Sequence, residues 1–88
     1  SAANEHLKSL KTDLDIAQRK YALDQQTYLS NPDHANDNAA AAALKDEEDQ
    51  MAAKQQEIAD QQKKVDEIQA RLAASAPVAP TSAPANRD

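Results

Sequence analysis

Few residue types in this sequence are suited to catalysis or to metal binding. The chain has no Cys, and so no thiol nucleophile or thiolate metal ligand, and it has no Gly to build a phosphate-binding loop. His6 and His34 are far apart in the sequence, and no Ser, His and carboxylate fall into a recognisable catalytic motif. We therefore predict a protein that is not an enzyme and that uses no cofactor.

The one group of candidate metal ligands lies in residues 33–38, Asp-His-Ala-Asn-Asp-Asn. Carboxylate and amide oxygens suit Ca²⁺, and His34 with Asp33 suits a transition metal. The calcium-loop motif also needs a central Gly and a late bidentate Glu, which this segment lacks. Asn and Asp also favour turns, because their side chains bond to neighbouring backbone groups. We predict a turn with no metal site, and we keep as an alternative a metal- or pH-responsive sensor in which His34 changes charge.

A seven-residue apolar repeat flanks this loop on both sides. Such a repeat keeps one stripe of a helix against one partner, because seven residues make nearly two turns. If the chain folds back on itself, Tyr28 meets Leu44 and Leu7 meets Val65, and each such pair of numbers has the same sum. The sequence therefore predicts an all-α, coiled-coil-like antiparallel two-helix hairpin. Its predicted seam consists of Leu7, Leu10, Leu14, Tyr21, Tyr28, Leu44, Met51, Ile58, Val65 and Leu72.

The predicted hairpin occupies residues 1–74, with a helix over 5–29, a loop over 30–38 and a helix over 39–74. Asn4 is a suitable N-cap for the first helix. The second helix has two candidate starts within residues 32–39, one capped by Asn31 before Pro32 and one capped by Asp37 or Asn38. Residues 75–88 are rich in Ala and Pro, and because proline removes backbone donors we predict a disordered tail.

Ile16 and Leu23 form a second, shorter stripe on the first helix, nearly opposite Leu14 and Tyr21. Two exposed aliphatic side chains are ordinary on a protein surface. The alternative interpretation is a contact surface, used for self-association or for an unknown protein partner. We take Ile16 and Leu23 as the candidate interaction residues.

The composition argues against several classes of partner. The net charge is −5, whereas phosphate binding needs clustered Lys and Arg, so we expect no nucleic acid partner. No apolar run approaches the length that a bilayer span requires.

The start of the sequence bears on localisation. Ser-Ala-Ala-Asn without Met is what signal-peptide removal leaves, although a cloning scar gives the same start. The Ala/Pro/Ser-rich end also favours export, so we predict a periplasmic or secreted protein.

The Gln/Lys/Glu-rich residues 53–65 resemble the helices of small exported proteobacterial proteins, including seroreactive antigens of the Burkholderia type. This resemblance implies a non-catalytic interaction or structural protein of the bacterial envelope, at the surface or secreted. The Ser-Asn-Pro-Asp turn is similar to that of type III secretion needle subunits. That likeness implies a subunit that polymerises through its second helix, where this chain instead continues into a proline-rich tail.

Overall fold

The computed structural model describes residues 1–75, which form two long helices. Helix α1 spans Ala2–Ser30 and helix α2 spans Asn38–Ser75, with a short 3₁₀ turn at His34–Asn36 between them. The two helices contact each other along their length and run antiparallel. The predicted all-α antiparallel hairpin is confirmed. Of the predicted tail, Ser75 belongs to α2, and residues 76–88 lie outside the described residues.

Helix α1 begins three residues earlier than predicted. Ser1, and not Asn4, is its N-cap, because the Ser1 hydroxyl accepts the backbone N–H of Asn4 at 3.3 Å. Serine is among the preferred N-cap residues, and Glu5 in the first turn suits the positive end of the helix dipole. Asn4 therefore lies inside the helix.

The connection between the helices is held by its own Asn and Asp side chains. Asn31 Oδ1 accepts the backbone N–H of Asp33 at 3.0 Å, and Asp33 Oδ1 accepts a bond from Asn36 Nδ2 at 2.6 Å. Asp37 Oδ1 accepts the backbone N–H of Ala40 at 3.0 Å, which caps α2. Of the two candidate starts for the second helix, the structure has the one at Asp37, and the connection shortens to residues 31–37.

The inner faces of the two helices match layer by layer. Buried or half-buried residues recur on both helices at alternating intervals of four and three, and the turn is centred on His34. Residues at equal distances from His34 in the sequence therefore lie at the same level of the hairpin. The resulting layers pair Ala3 with Val65, Leu7 with Gln61, Leu10 with Ile58, Leu14 with Lys54, Ala17 with Met51, Tyr21 with Glu47, Asp24 with Leu44, and Tyr28 with Ala40.

This register differs from the predicted one by about one helical turn. The predicted register is centred on residue 36, and it aligns the inner residues of the two helices in alternate layers only. Side-chain bonds across the hairpin agree with the shorter turn: Gln61 Nε2 donates to the Ala3 carbonyl at 3.0 Å, a carbonyl out of its reach in the predicted register. The predicted pairing of Tyr28 with Leu44 and of Leu7 with Val65 is wrong, because it matched large apolar residues and ignored polar ones that also face inward.

The best-packed part of the seam lies at the open end of the hairpin, away from the turn. Leu7, Leu10 and Val65 are the buried apolar side chains of the described residues, and Gln61 is buried among them. The other predicted seam residues Leu14, Tyr21, Tyr28, Leu44, Met51 and Ile58 are half-buried.

Leu72 does not belong to the seam. Its side chain is 64% exposed, because α1 begins at Ala2 and Ala2 lies level with residue 66. Ile68, which the apolar repeat did not include, is half-buried instead. The inner stripe of α2 therefore runs past the start of α1.

Candidate functional site

The outer face of α1 carries two exposed aliphatic side chains. Ile16 is 60% exposed and Leu23 is 65% exposed, and they lie two helical turns apart, ~10 Å along the axis. Both face away from α2, because the inward residues Leu14, Ala17 and Tyr21 lie on the opposite side of the helix. Neither residue contributes to the seam.

The surroundings of this stripe are polar and locally paired. Arg19 Nη2 lies 3.2 Å from Asp15 Oδ2, and both side chains are largely exposed. The Thr27 hydroxyl donates to the Leu23 carbonyl at 3.0 Å. Exposed i,i+4 ion pairs of this kind contribute only tenths of a kcal/mol to stability. A partner that separates such a pair on binding therefore costs the protein little free energy.

Lys20 joins the two helices near the middle of the hairpin. Its Nζ donates to Asp24 Oδ2 at 2.6 Å and to Glu47 Oε2 at 3.3 Å. These bonds raise the pKa of Lys20, and the bond from Lys20 lowers the pKa of Asp24 below its ordinary 3.8. The Tyr21 hydroxyl donates to Glu48 Oε2 at 2.6 Å, which raises the pKa of Tyr21 above 10.0. Polar side chains therefore bridge the two helices in this part of the seam, beside its half-buried apolar residues.

A groove of about 280 Å³ lies between the helices next to the turn. Tyr28 and Leu44 supply apolar walls, and Asp24 and Glu47 supply carboxylates. Glu47 Oε1 is buried without a hydrogen-bond partner among the described residues. The residues lining the groove include no thiol, no histidine and no lysine that would act as a nucleophile or base.

The loop residues considered as metal ligands are engaged in the turn. His34 packs its ring 5.0 Å from the ring of Tyr28, and its Nδ1 lies 2.9 Å from the Asn31 carbonyl oxygen. Asp33 and Asp37 accept bonds from Asn36 and from the start of α2. Within residues 1–75, no three His, Cys, Asp or Glu side chains are placed to hold a metal ion. His6 lies at the other end of the hairpin, beside a groove that also contains Lys64.

Several polar residues of the seam were not among the predicted seam residues. Asp24, Glu47, Lys54 and Gln61 occupy inward positions of the seam, although their types suggest solvent-facing positions. The signal that could have found them is their spacing: each lies three residues after an apolar seam residue and four before the next. Such spacing defines the second inward position of a heptad.

The fold and surface define a small all-α hairpin with a partly polar seam and exposed apolar side chains on α1 and at the end of α2. No protein-family model matches the chain, and neither a curated protein nor a solved structure is detectably similar to it. Neither helix of residues 1–75 is apolar enough over a sufficient length to cross a bilayer.

Proposed function

We propose that this chain is a non-catalytic, exported interaction or structural protein of the bacterial envelope, and that Ile16 and Leu23 form its binding surface. The observation that carries the proposal is the exposure of both side chains on the face of α1 that points away from α2. Full burial of an aliphatic side chain of this size contributes ~1.5–3 kcal/mol, so a partner that covers both gains a useful part of a binding free energy.

The rigidity of the helix supports this interpretation. Ile16 and Leu23 are fixed in spacing and direction by α1, whose other side is packed against α2. A partner therefore does not have to order this surface, and ordering is one of the main costs of association. The same arrangement serves either self-association or a different protein.

The test replaces both aliphatic side chains by carboxylates. We expect Ile16→Asp with Leu23→Asp to abolish association, followed as mass by light scattering over about a hundredfold concentration range and as retention of envelope proteins on the immobilised chain. Helicity should remain unchanged, because neither residue packs in the seam. Gln18→Asp with Gln25→Asp is the matched control, since these residues are exposed and have the same spacing. Equal association of all three proteins would show that the stripe is ordinary surface.

Export and surface presentation are part of the same proposal. They are supported by the Ala/Pro/Ser-rich composition of residues 75–88. Antibodies against the chain should recover it from the periplasm, the cell surface or the medium of its source cell. Recovery from the cytoplasm alone would contradict this part of the proposal.

A second candidate function is a pH- or metal-responsive sensor at the turn. The contact between the rings of His34 and Tyr28 favours it, since a charge on His34 would act directly on the packing of α1 against the turn. Titration with Ca²⁺, with Zn²⁺ and over about pH 5–8 should then shift the NMR signals of Tyr28 and Asn31. If these signals do not respond to micromolar metal or to pH, the sensor hypothesis is wrong.

A further inference from the structure

The groove beside the turn has an apolar middle. It lies between α1 and α2, its volume is about 280 Å³, and we call it the turn groove. Tyr28 and Ala40 lie at the same level of the hairpin, and Leu44 lies four residues further along α2. One aromatic ring and two aliphatic side chains therefore form the middle of its wall.

Carboxylates border this apolar middle at both ends of the turn groove. Asp24 lies level with Leu44, and Glu47 lies three residues beyond Leu44 on α2. Asp37 lies at the opposite end, at the start of α2. Asp37 and Leu44 are seven residues apart, so the two acidic ends are separated by ~10 Å along the helix axis. The wall of the groove is therefore acidic, then apolar, then acidic again.

The carboxylates at the two ends are not matched by an equal number of cations. Lys20 bonds to both Asp24 and Glu47, so one positive charge faces two carboxylates. The bond from Lys20 also lowers the pKa of Asp24. Asp37 caps α2 through Oδ1 and forms no ion pair within residues 1–75. Each end therefore keeps one carboxylate for which the described residues supply no cation.

Glu47 gives an independent reason to expect a cation at its end of the groove. Its Oε2 accepts a bond from Lys20, but its Oε1 is buried without a hydrogen-bond partner among the described residues. A buried carboxylate oxygen without a partner is costly, and a positive charge close to the carboxylate reduces that cost.

The part of the chain around the turn groove is also more acidic than the rest. Residues 18–50 contain seven of the fifteen Asp and Glu residues but only three of the ten Lys and Arg residues. None of the described residues that line the groove is Lys, Arg or His. An excess of charge of one sign raises the local concentration of ligands of the opposite sign. Cations are therefore attracted to this end of the hairpin.

We propose that the turn groove binds a linear alkane that carries an ammonium group at each end. One ammonium group lies beside Asp24 and Glu47, the alkyl chain packs against Tyr28 and Leu44, and the other ammonium group reaches Asp37. The groove is slightly smaller than the ~300–1,000 Å³ of most small-molecule sites, which suits a slender ligand.

Other cations match this groove less completely. An inorganic dication has the charge but no apolar part to cover Leu44. A monoamine, or one lysine side chain of a partner protein, has an alkyl chain but a single ammonium group, so it pairs with only one end. The proposal goes beyond the proposed function, because the site lies between the helices and uses neither Ile16 nor Leu23.

The test uses the full chain, labelled with ¹⁵N, at low ionic strength, where charge interactions are least screened. Three probes are compared: cadaverine, which is a linear diamine; pentylamine, which has the same alkyl chain and one ammonium group; and Mg²⁺, which has the charge alone. We expect cadaverine to shift the NMR signals of Tyr28, Ala40 and Leu44 and to bind ~10-fold or more tightly than pentylamine. Mg²⁺ should not shift the signals of Tyr28 and Leu44.

Asp37→Asn is the most informative variant, because asparagine caps a helix as well as aspartate does but carries no charge. We expect it to weaken the binding of cadaverine by ~10-fold and to leave the binding of pentylamine nearly unchanged. Asp33→Asn is the matched control, since Asp33 belongs to the same turn and does not line the groove. Ala43→Leu should block the groove, and because Ala43 is exposed it should keep its helicity, which circular dichroism checks.

Several results would overturn the proposal. Equal binding of cadaverine and pentylamine would remove the need for two ammonium groups. Equal losses in Asp37→Asn and Asp33→Asn, or the same shifts with Mg²⁺, would reduce the effect to general attraction by the acidic surface. No shifts at millimolar cadaverine, or unchanged binding in Ala43→Leu, would show that the turn groove is not the site.

Discussion

The two ends of the hairpin are stabilised in different ways. At the open end, Leu7, Leu10 and Val65 exclude water, and Gln61, a buried polar side chain, bonds to a backbone carbonyl of α1. Towards the turn the seam residues are half-buried, and hydrogen bonds from Lys20 and Tyr21 cross between the helices, while Asp37 caps α2. The comparison shows that large apolar residues line the whole seam but are fully buried only at the open end, whereas side-chain hydrogen bonds cross between the helices in the half-buried remainder.

The largest predicted effect is at the open end. Leu10→Ala removes a side chain that is almost fully buried, and we expect it to lower the free energy of unfolding by ~2–4 kcal/mol. Leu44→Ala near the turn should cost about half of that, because Leu44 is already partly in water. Urea unfolding followed by circular dichroism measures both. Similar losses for the two variants would mean that the ends are packed alike.

Gln61 provides the next test. Gln61→Ala removes the bond to the Ala3 carbonyl and some packing against Leu7, and we expect a loss of ~1–2 kcal/mol. Gln62→Ala is the matched control, since Gln62 bonds only to Asp66 within its own helix. Amide hydrogen exchange in α1 should accelerate first near Ala3. If the two variants unfold at the same urea concentration, the bond from Gln61 does not stabilise the register.

At the turn end, the N-cap bond of α2 should contribute more to the free energy of unfolding than the other side-chain bonds of the turn. Asp37→Ala removes the acceptor for the Ala40 N–H, and we expect a loss of ~1 kcal/mol and fraying of the first turn of α2. Asp33→Ala, which removes only a bond from Asn36, should cost less. Thermal unfolding of both variants shows which one loses more stability. A larger loss for Asp33→Ala than for Asp37→Ala would contradict the assignment of Asp37 as the cap.

The smallest predicted effect is the response of the middle of the hairpin to acid. Because the pKa of Asp24 is lowered by Lys20, the contribution of this carboxylate is present above its ordinary pKa of 3.8 and is lost as the pH falls through its lower value in the folded protein. NMR titration of the Asp24 carboxyl measures the shift directly, and Lys20→Met should return the pKa of Asp24 towards 3.8. A pKa of Asp24 that is the same in both proteins would contradict the ion pair.

The sequence was sufficient to predict the hairpin and the exposure of Ile16 and Leu23, because both follow from the periodicity of apolar residues on a helix. It was not sufficient for the register. Glu47, Lys54 and Gln61 face inward because their positions are dictated by the intervals of the seam, and side-chain type alone places such residues in water. Leu72 was misassigned for a related reason: the repeat shows which face a residue lies on, but only the length of α1 determines whether that face is covered.

The outer face of α1 presents an aliphatic stripe, Ile16 and Leu23, among paired charges.

The antiparallel path also determines how the hairpin would respond to mechanical load. Ser1 and Ser75 lie at the same end of the molecule, so tension between them separates the two helices one layer after another instead of sliding them past each other. The first layers to bear this force are those of Val65, Gln61 and Leu7, which are the best packed. Once they part, the half-buried layers behind them offer less resistance, and the hairpin should open abruptly at a force determined by its first few residues.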